Sequence, residues 1–453
     1  MTEETAARPG GAGGTAPGAR LLKDHPLRVT LTNEVHARPP ELLRPPTRGT
    51  LLAMFSGEGT TGDDLSHLAR LCAWAGVPPP APDATHYSGS FGSFRLKWER
   101  HTEFSTWSVF RPTAPAAALD PFLEPALDAV PRDWLAALPG ELMAGIHIVV
   151  LDNGAPVPTP ETLEAIFGSD RYVGSRVAGG TATAWTDFRI HGDNFSRILV
   201  VDHSMTGNQT GRTVQRLFEI ETYRIMALMA LPEARRALPD IGRIEAELAE
   251  LTSRMAAIEG LEDERDLLGR LTRLAARTEQ ISAETAYRFG AARAYYLLVR
   301  KRIEELREVR IEGVPMIAEF MERRLAPALR TCEAAQTRLE MLSQRVARAS
   351  NLLRTRVEIA VEGQNAELLR SMDSRAHAQL RLQETVEGLS VVAISYYGVG
   401  ILGYAAKALK GMGVPLNPDL VTGIGIPVVL FAVWTGVRRI RRVLVEPSDA
   451  PHG

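Results

Sequence analysis

The sequence predicts an α+β domain followed by a long helical stalk and a C-terminal two-helix transmembrane hairpin. Three observations carry that prediction. Of 29 prolines, 22 precede residue 240, whereas residues 240–314 and 328–414 contain none. The proline-rich front half alternates β-branched and aromatic runs with helical ones. Two uncharged apolar stretches close the chain. Proline interrupts helix interiors, so its absence licenses long helices behind a mixed front.

Residues 1–20 form a Gly/Pro/Ala-rich tail read as disordered. Residues 21–239 form the mixed domain. Strands are expected at Leu27 to Leu31, Thr50 to Phe55, Ser93 to Glu99, Phe104 to Phe110, Met143 to Leu151, Tyr172 to Val177, Thr181 to Ile190 and Ser196 to Val201. Helices are expected at Asp63 to Trp74, Thr159 to Phe167 and Gln209 to Leu231. Short turns such as Arg100 to Glu103 join adjacent strands, which favours antiparallel pairing over a doubly wound parallel sheet.

A boundary near Pro239 opens the stalk, residues 240–387. Ile241, Ile244, Leu248, Leu251, Met255 and Ile258 fall at alternating spacings of three and four. Cys332, Ala335, Leu339, Leu342, Val346, Ala349 and Leu353 repeat the pattern, with Arg and Glu dense between them. Pro315 and Pro327 mark a turn between two antiparallel rods. The spacing suits pairing within one chain or between chains alike.

Gly388 to Ala406 and Leu420 to Val437 contain no charged residue, and each is long enough to cross a bilayer. Residues 388–437 therefore read as a hairpin whose partner is lipid. Arg438, Arg439, Arg441 and Arg442 open a basic tail, residues 438–453, and the positive-inside rule puts that tail in the cytoplasm. Both termini then lie on the cytoplasmic side of a bacterial inner membrane. Ser395, Gly398, Gly400 and Gly403 permit close helix contact and are the candidate pore-lining positions.

Composition excludes several classes. With 52 basic and 54 acidic side chains the formal charge is −2, which argues against a nucleic-acid-coating protein. Cys72 and Cys332 are the two cysteines, too few for a disulfide framework or a cysteine zinc site. The histidines show no metal-ligand spacing, and no Walker loop, nucleophile elbow or kinase signature is present. No metal and no cofactor are expected, and a non-enzymatic protein is favoured over an enzyme.

Two segments carry candidate chemistry. In Asn33-Glu34-Val35-His36-Ala37-Arg38-Pro39, strand alternation would put Glu34, His36 and Arg38 on one face. A carboxylate, an imidazole and a guanidinium together suit a polar ligand, an anion or a proton transfer. In Gly211 to Arg224 a helix would present Arg212, Arg216 and Glu219 on one stripe, with Arg216–Glu219 and Glu221–Arg224 as charge pairs. Both segments also have plain structural readings, as a strand end and as a helix covering the sheet.

With these two segments, Ala227 to Pro232 and the apolar pair, the sequence resembles a bacterial membrane-protein family catalogued as a domain of unknown function, over residues 24 to about 443. The layout alone looks like that of CorA-type magnesium channels, which implies a homo-oligomer with a pore along the first membrane helix. Where that family carries Gly-Met-Asn, this chain reads Gly411-Met412-Gly413. The expected function is an oligomeric channel or transporter gated by its cytosolic domain. The alternative is a membrane-tethered binding module or enzyme around Glu34, His36 and Arg38.

Overall fold

A computed structural model describes residues 23–29, 31–32, 39–57, 61–113, 120–258, 260–413, 415 and 417–445. It divides into two compact units. The first is residues 1–251 with 271–347, and the second is 252–270 with 348–453.

The first unit is built on a nine-stranded sheet in the order β2-β3-β4-β1-β5-β8-β7-β6-β9. Its strands are β1 (Thr47–Phe55), β2 (His86–Ser90), β3 (Arg95–Arg100), β4 (Phe104–Pro112), β5 (Glu141–Leu151), β6 (Val173–Val177), β7 (Ala182–Thr186), β8 (Ser196–Asp202) and β9 (Val309–Arg310). Every pairing is antiparallel except β5 with β8. The expected mixed α+β architecture is present.

Period-two alternation divides β3 and β4 cleanly. Leu96 and Trp98 on β3, with Trp107 and Val109 on β4, enter a core with Leu68, Leu71 and Cys72 of α1 (Thr61–Ala75) and Trp134 of α2 (Arg132–Ala136). The rings of Trp107 and Trp134 meet edge to face, 5.4 Å between centroids. Lys97, Glu99, Thr106 and Ser108 face the other way.

That second face is covered by α4 (Gly207–Leu228), after α3 (Pro160–Phe167) has crossed between β5 and β6. A capping box starts α4: Gln209 N–H donates to Thr206 Oγ1 while Thr206 N–H donates to Gln209 Oε1 at 2.8 Å. Val214, Leu217, Phe218 and Ile220 then form its buried stripe.

Leu27 to Leu31 is not a strand. Arg28, Val29, Leu31 and Thr32 are helical, with Leu31 N–H on the Leu27 carbonyl at 2.8 Å. The side chains of Leu27, Val29 and Leu31 are exposed, so no sheet face rewards an extended backbone there.

The helical region has three long members, not two rods. They are α5 (Ala230–Met255), α6 (Leu261–Leu306) and α7 (Ile317–Gly411). Pro239 lies inside α5 and Pro327 inside α7, so neither breaks its helix. Ala234, Ala237 and Ile241 are buried on either side of Pro239, and this packing outweighs one lost backbone bond. The turn into α7 contains Pro315.

Both apolar seams are buried within the single chain from Ile241 to Leu251 and from Cys332 to Leu353. Glu245 of α5 pairs with Arg338 of α7 in the first unit, and the Met255 carbonyl accepts from Arg356 of α7 in the second. Arg356 also meets Glu264 near the start of α6.

In the second unit the last part of α7 lies against α8 (Pro418–Val445). Both helices are long and apolar enough to cross a membrane.

Candidate functional site

A partly open cavity of about 260 Å³ lies in the first unit, between the polar face of β1, β3 and β4 and the helix α4. Its sheet wall carries Lys97, Glu99, Thr106 and Ser108. Its helix wall carries Gln215, Glu219, Thr222 and Tyr223, and Arg302 of α6 and Glu41 complete it. Phe110 and Phe218 supply the apolar part, 6.2 Å between ring centroids.

The charges in this wall are paired. Lys97 is buried and lies 3.1 Å from Glu99 Oε1, its neighbour two residues along the strand. Glu219 accepts from Gln215 Nε2 at 2.8 Å and from Arg302. Glu305 receives Arg302 Nη1 at 3.0 Å and Arg216 Nε at 3.2 Å. Burial works against the charge on Glu305, but Arg302 and Arg216 together hold its carboxyl below the usual carboxylate range.

Thr222 departs from this pattern. It is 2% exposed, and its Oγ1 has no hydrogen-bond partner among the described residues. Buried hydroxyls are nearly always bonded, so this one is an exception, and with the oxygen itself sealed from solvent it lies behind the cavity surface rather than on it.

Glu41 is held at the rim by Arg95 Nε at 2.8 Å and by the Ser88 hydroxyl. Its backbone lies directly on α4. A Cβ at Gly211 would stand 1.7 Å from the Glu41 carbonyl oxygen, and Leu43 N–H donates to the Gly207 carbonyl at 3.2 Å. Glycine at position 211 is what lets the chain cross the first turns of α4 so closely. Pro39, the last residue of the Asn33–Pro39 segment, and Pro40 line an adjoining groove with His86, Tyr87 and Lys97.

Glu34, His36 and Arg38 lie outside the described residues. Arg212 is exposed on α4 and is not part of the cavity wall. Arg216 points to Glu305 of α6 rather than to Glu219. The Glu221–Arg224 pair forms, with Arg224 Nη2 at 2.6 Å from Oε1.

In the hairpin, a Cβ on Gly398 would lie 2.9 Å from Val429 of α8, and one on Gly403 would lie 3.4 Å from Thr422. These two glycines serve contact with α8. Gly400 faces open space, and Ser395 is buried. Among the described residues no group of three or more His, Cys, Asp or Glu could hold a metal ion.

Sequence reasoning missed Lys97, Glu99, Thr222 and Arg302. Lys97 and Glu99 did leave a signal, since they alternate with Leu96 and Trp98 on one strand. Such alternation normally marks a solvated face. Arg302 is one arginine among many on a long helix.

No curated protein matches this sequence. A solved structure described as the full-length CmaX protein aligns over 69% of this chain and 93% of its own, at 13% identity and a TM-score of 0.17, too low for a shared fold. The family model for proteins of unknown function designated DUF3422 matches residues 23–444, and the chain belongs to that family.

Proposed function

We propose that this protein is a membrane-anchored binding module whose cavity takes a small zwitterion of amino-acid size. The observation that carries this reading is a cavity whose opposing walls each offer both signs of charge. Lys97 and Glu99 stand on the sheet, and Arg302 and Glu219 stand on the helices. A ligand carrying one ammonium and one carboxylate would exchange these internal pairs for its own, with no net change in buried charge. Glu34, His36 and Arg38 precede the rim residue Glu41 in the sequence and remain candidate ligand-binding residues.

The anchor is the α7–α8 hairpin. Leu389, Val392, Ile401, Leu420, Ile424 and Phe431 are all exposed on it, more contiguous apolar surface than a soluble monomer sustains. A bacterial inner membrane fits this surface, with the Arg438 to Arg442 cluster holding both termini in the cytoplasm. The module is non-enzymatic in this reading. Ion passage has less behind it, because Gly398 and Gly403 are occupied by contact with α8.

The test is thermal unfolding of the detergent-solubilised full chain against neutral L-amino acids, dicarboxylates and polyols. Zwitterions should raise the unfolding temperature, and Lys97→Met or Glu99→Gln should remove the rise. A response to polyols or dicarboxylates alone would reject the ligand class, and no response to any would reject the site.

A further inference from the structure

From Glu362 to Val386 every residue of α7 is exposed. Leu368 is 62% exposed, Met372 60%, Leu382 66% and Val386 55%. An isolated helix is marginal in water and draws most of its stability from a packed apolar face. Side-chain links along this stretch include Asp373 with His377 at 3.6 Å and Gln383 with Glu387 at 3.5 Å, both long. A partner that covers one face would account for the helix.

We infer that the partner is the same segment of a second copy of this chain, aligned parallel and in register. The spacing of residues defines the face. Met372, Arg375, Gln379, Leu382, Val386 and Leu389 follow one another at alternating steps of three and four, the inner line of a two-stranded coil. This line lies further along the same helix as the buried seam Cys332 to Leu353, on a different face, two heptad positions away.

The flanking positions identify the partner as a copy. Ser371, Ala376, Ala378, Gln383, Thr385 and Ser390 border the inner line, and none is charged. Pairing between different chains is usually selected by charges at these positions, and identical charges there would repel an identical helix. Asp373, Arg381, Glu384 and Glu387 all point outward from the line.

Direction follows from the membrane reading of the hairpin, on which this part of the inference rests. Two copies entering one bilayer at the same residue present the line at the same height and in the same sense. Arg375 is the polar exception on the inner line. Two facing guanidiniums weaken the pair, and such a residue fixes register by penalising shifted alignments of the apolar residues around it.

Single-cysteine cross-linking of the full chain in native membranes tests this. Cys72 and Cys332 are buried, so the unaltered chain is the blank. Under copper-catalysed air oxidation, Leu382→Cys should give a disulfide-linked dimer, and Glu384→Cys should remain monomeric. Arg375→Leu added to Leu382→Cys should increase the dimer, and Leu382→Glu should leave a monomer in detergent. Monomeric Leu382→Cys in the membrane fraction would overturn the pairing while leaving the anchor intact. Equal cross-linking at 382 and 384, or a Leu382→Cys adduct with a different protein, would overturn it as well. Recovery of the chain in the soluble fraction would instead remove the anchor and, with it, the parallel alignment.

Discussion

Glu103, in the turn between β3 and β4, is buried and receives Arg288 of α6 at 2.8 Å. Tyr295 donates to the same carboxylate at 3.0 Å. Burial and the neighbouring Glu103 charge both push the Tyr295 hydroxyl above its usual range, so it stays a donor. A buried carboxylate stripped of its cation is costly. Arg288→Met should therefore destabilise the chain by about 3–5 kcal/mol, and Glu103→Leu in the same chain should recover part of that loss. Denaturant unfolding of the unaltered chain and the two variants measures both effects.

Gly211→Ala should be destabilising by about 1–3 kcal/mol, because the new methyl meets the Glu41 carbonyl, a backbone atom that cannot rotate away. Gly242→Ala is the control, since the nearest atom to a Cβ there is the end of Arg338 at 3.9 Å. Chemical denaturation of both should show loss in the first and none in the second.

His147 gives stability a pH dependence. Its Nδ1 lies 2.8 Å from Thr50 Oγ1 and its ring stacks on Phe195 at 4.0 Å. Burial pushes its pKa down to about 4. The unfolded chain takes up this proton near pH 6.5, and the folded chain does not until about pH 4. Stability from this site is full above pH 6.5 and is lost as pH falls towards 4, by about 3 kcal/mol in all. His67, lowered by burial and by Arg70, adds a loss of the same sign. Unfolding curves across this window should flatten in His147→Gln.

The hairpin sets two outcomes. Deletion of residues 388–442 should move the remainder to the soluble fraction, with equal solubility of both forms refuting the anchor. In intact cells an impermeant thiol reagent should label Asn417→Cys and miss Ser448→Cys, because translocating the arginine cluster is unfavourable. Labelling at 448 alone would reverse the orientation.

Much of the strand pattern was legible because β-branched and aromatic runs coincide with strands buried on both faces, as in Met143 to Leu151. β2 was not, since His86-Tyr87-Ser88-Gly89-Ser90 is an edge strand without an apolar rhythm. Of the cavity, the helix bearing Thr222 was foreseen but its role was not. A threonine without a partner can be recognised only once its neighbours are placed. Arg216 shows the same limit. Its spacing to Glu219 suited a pair along the helix, yet Glu305, 89 residues away, takes it instead. Pro239 misled for a different reason, since proline's effect on a helix depends on the packing around it.

The placement of β9 has a consequence for the order of events during synthesis. The sheet gains its last strand at Val309–Arg310, and the unit that contains it ends at Ala347. The first apolar stretch begins some way later, at Gly388. Domains fold as units from the N-terminus as the chain emerges. Every residue of the cavity wall, up to Arg302, therefore leaves the ribosome before the α7–α8 hairpin does. The sheet and the helices packed on it can close around their core first.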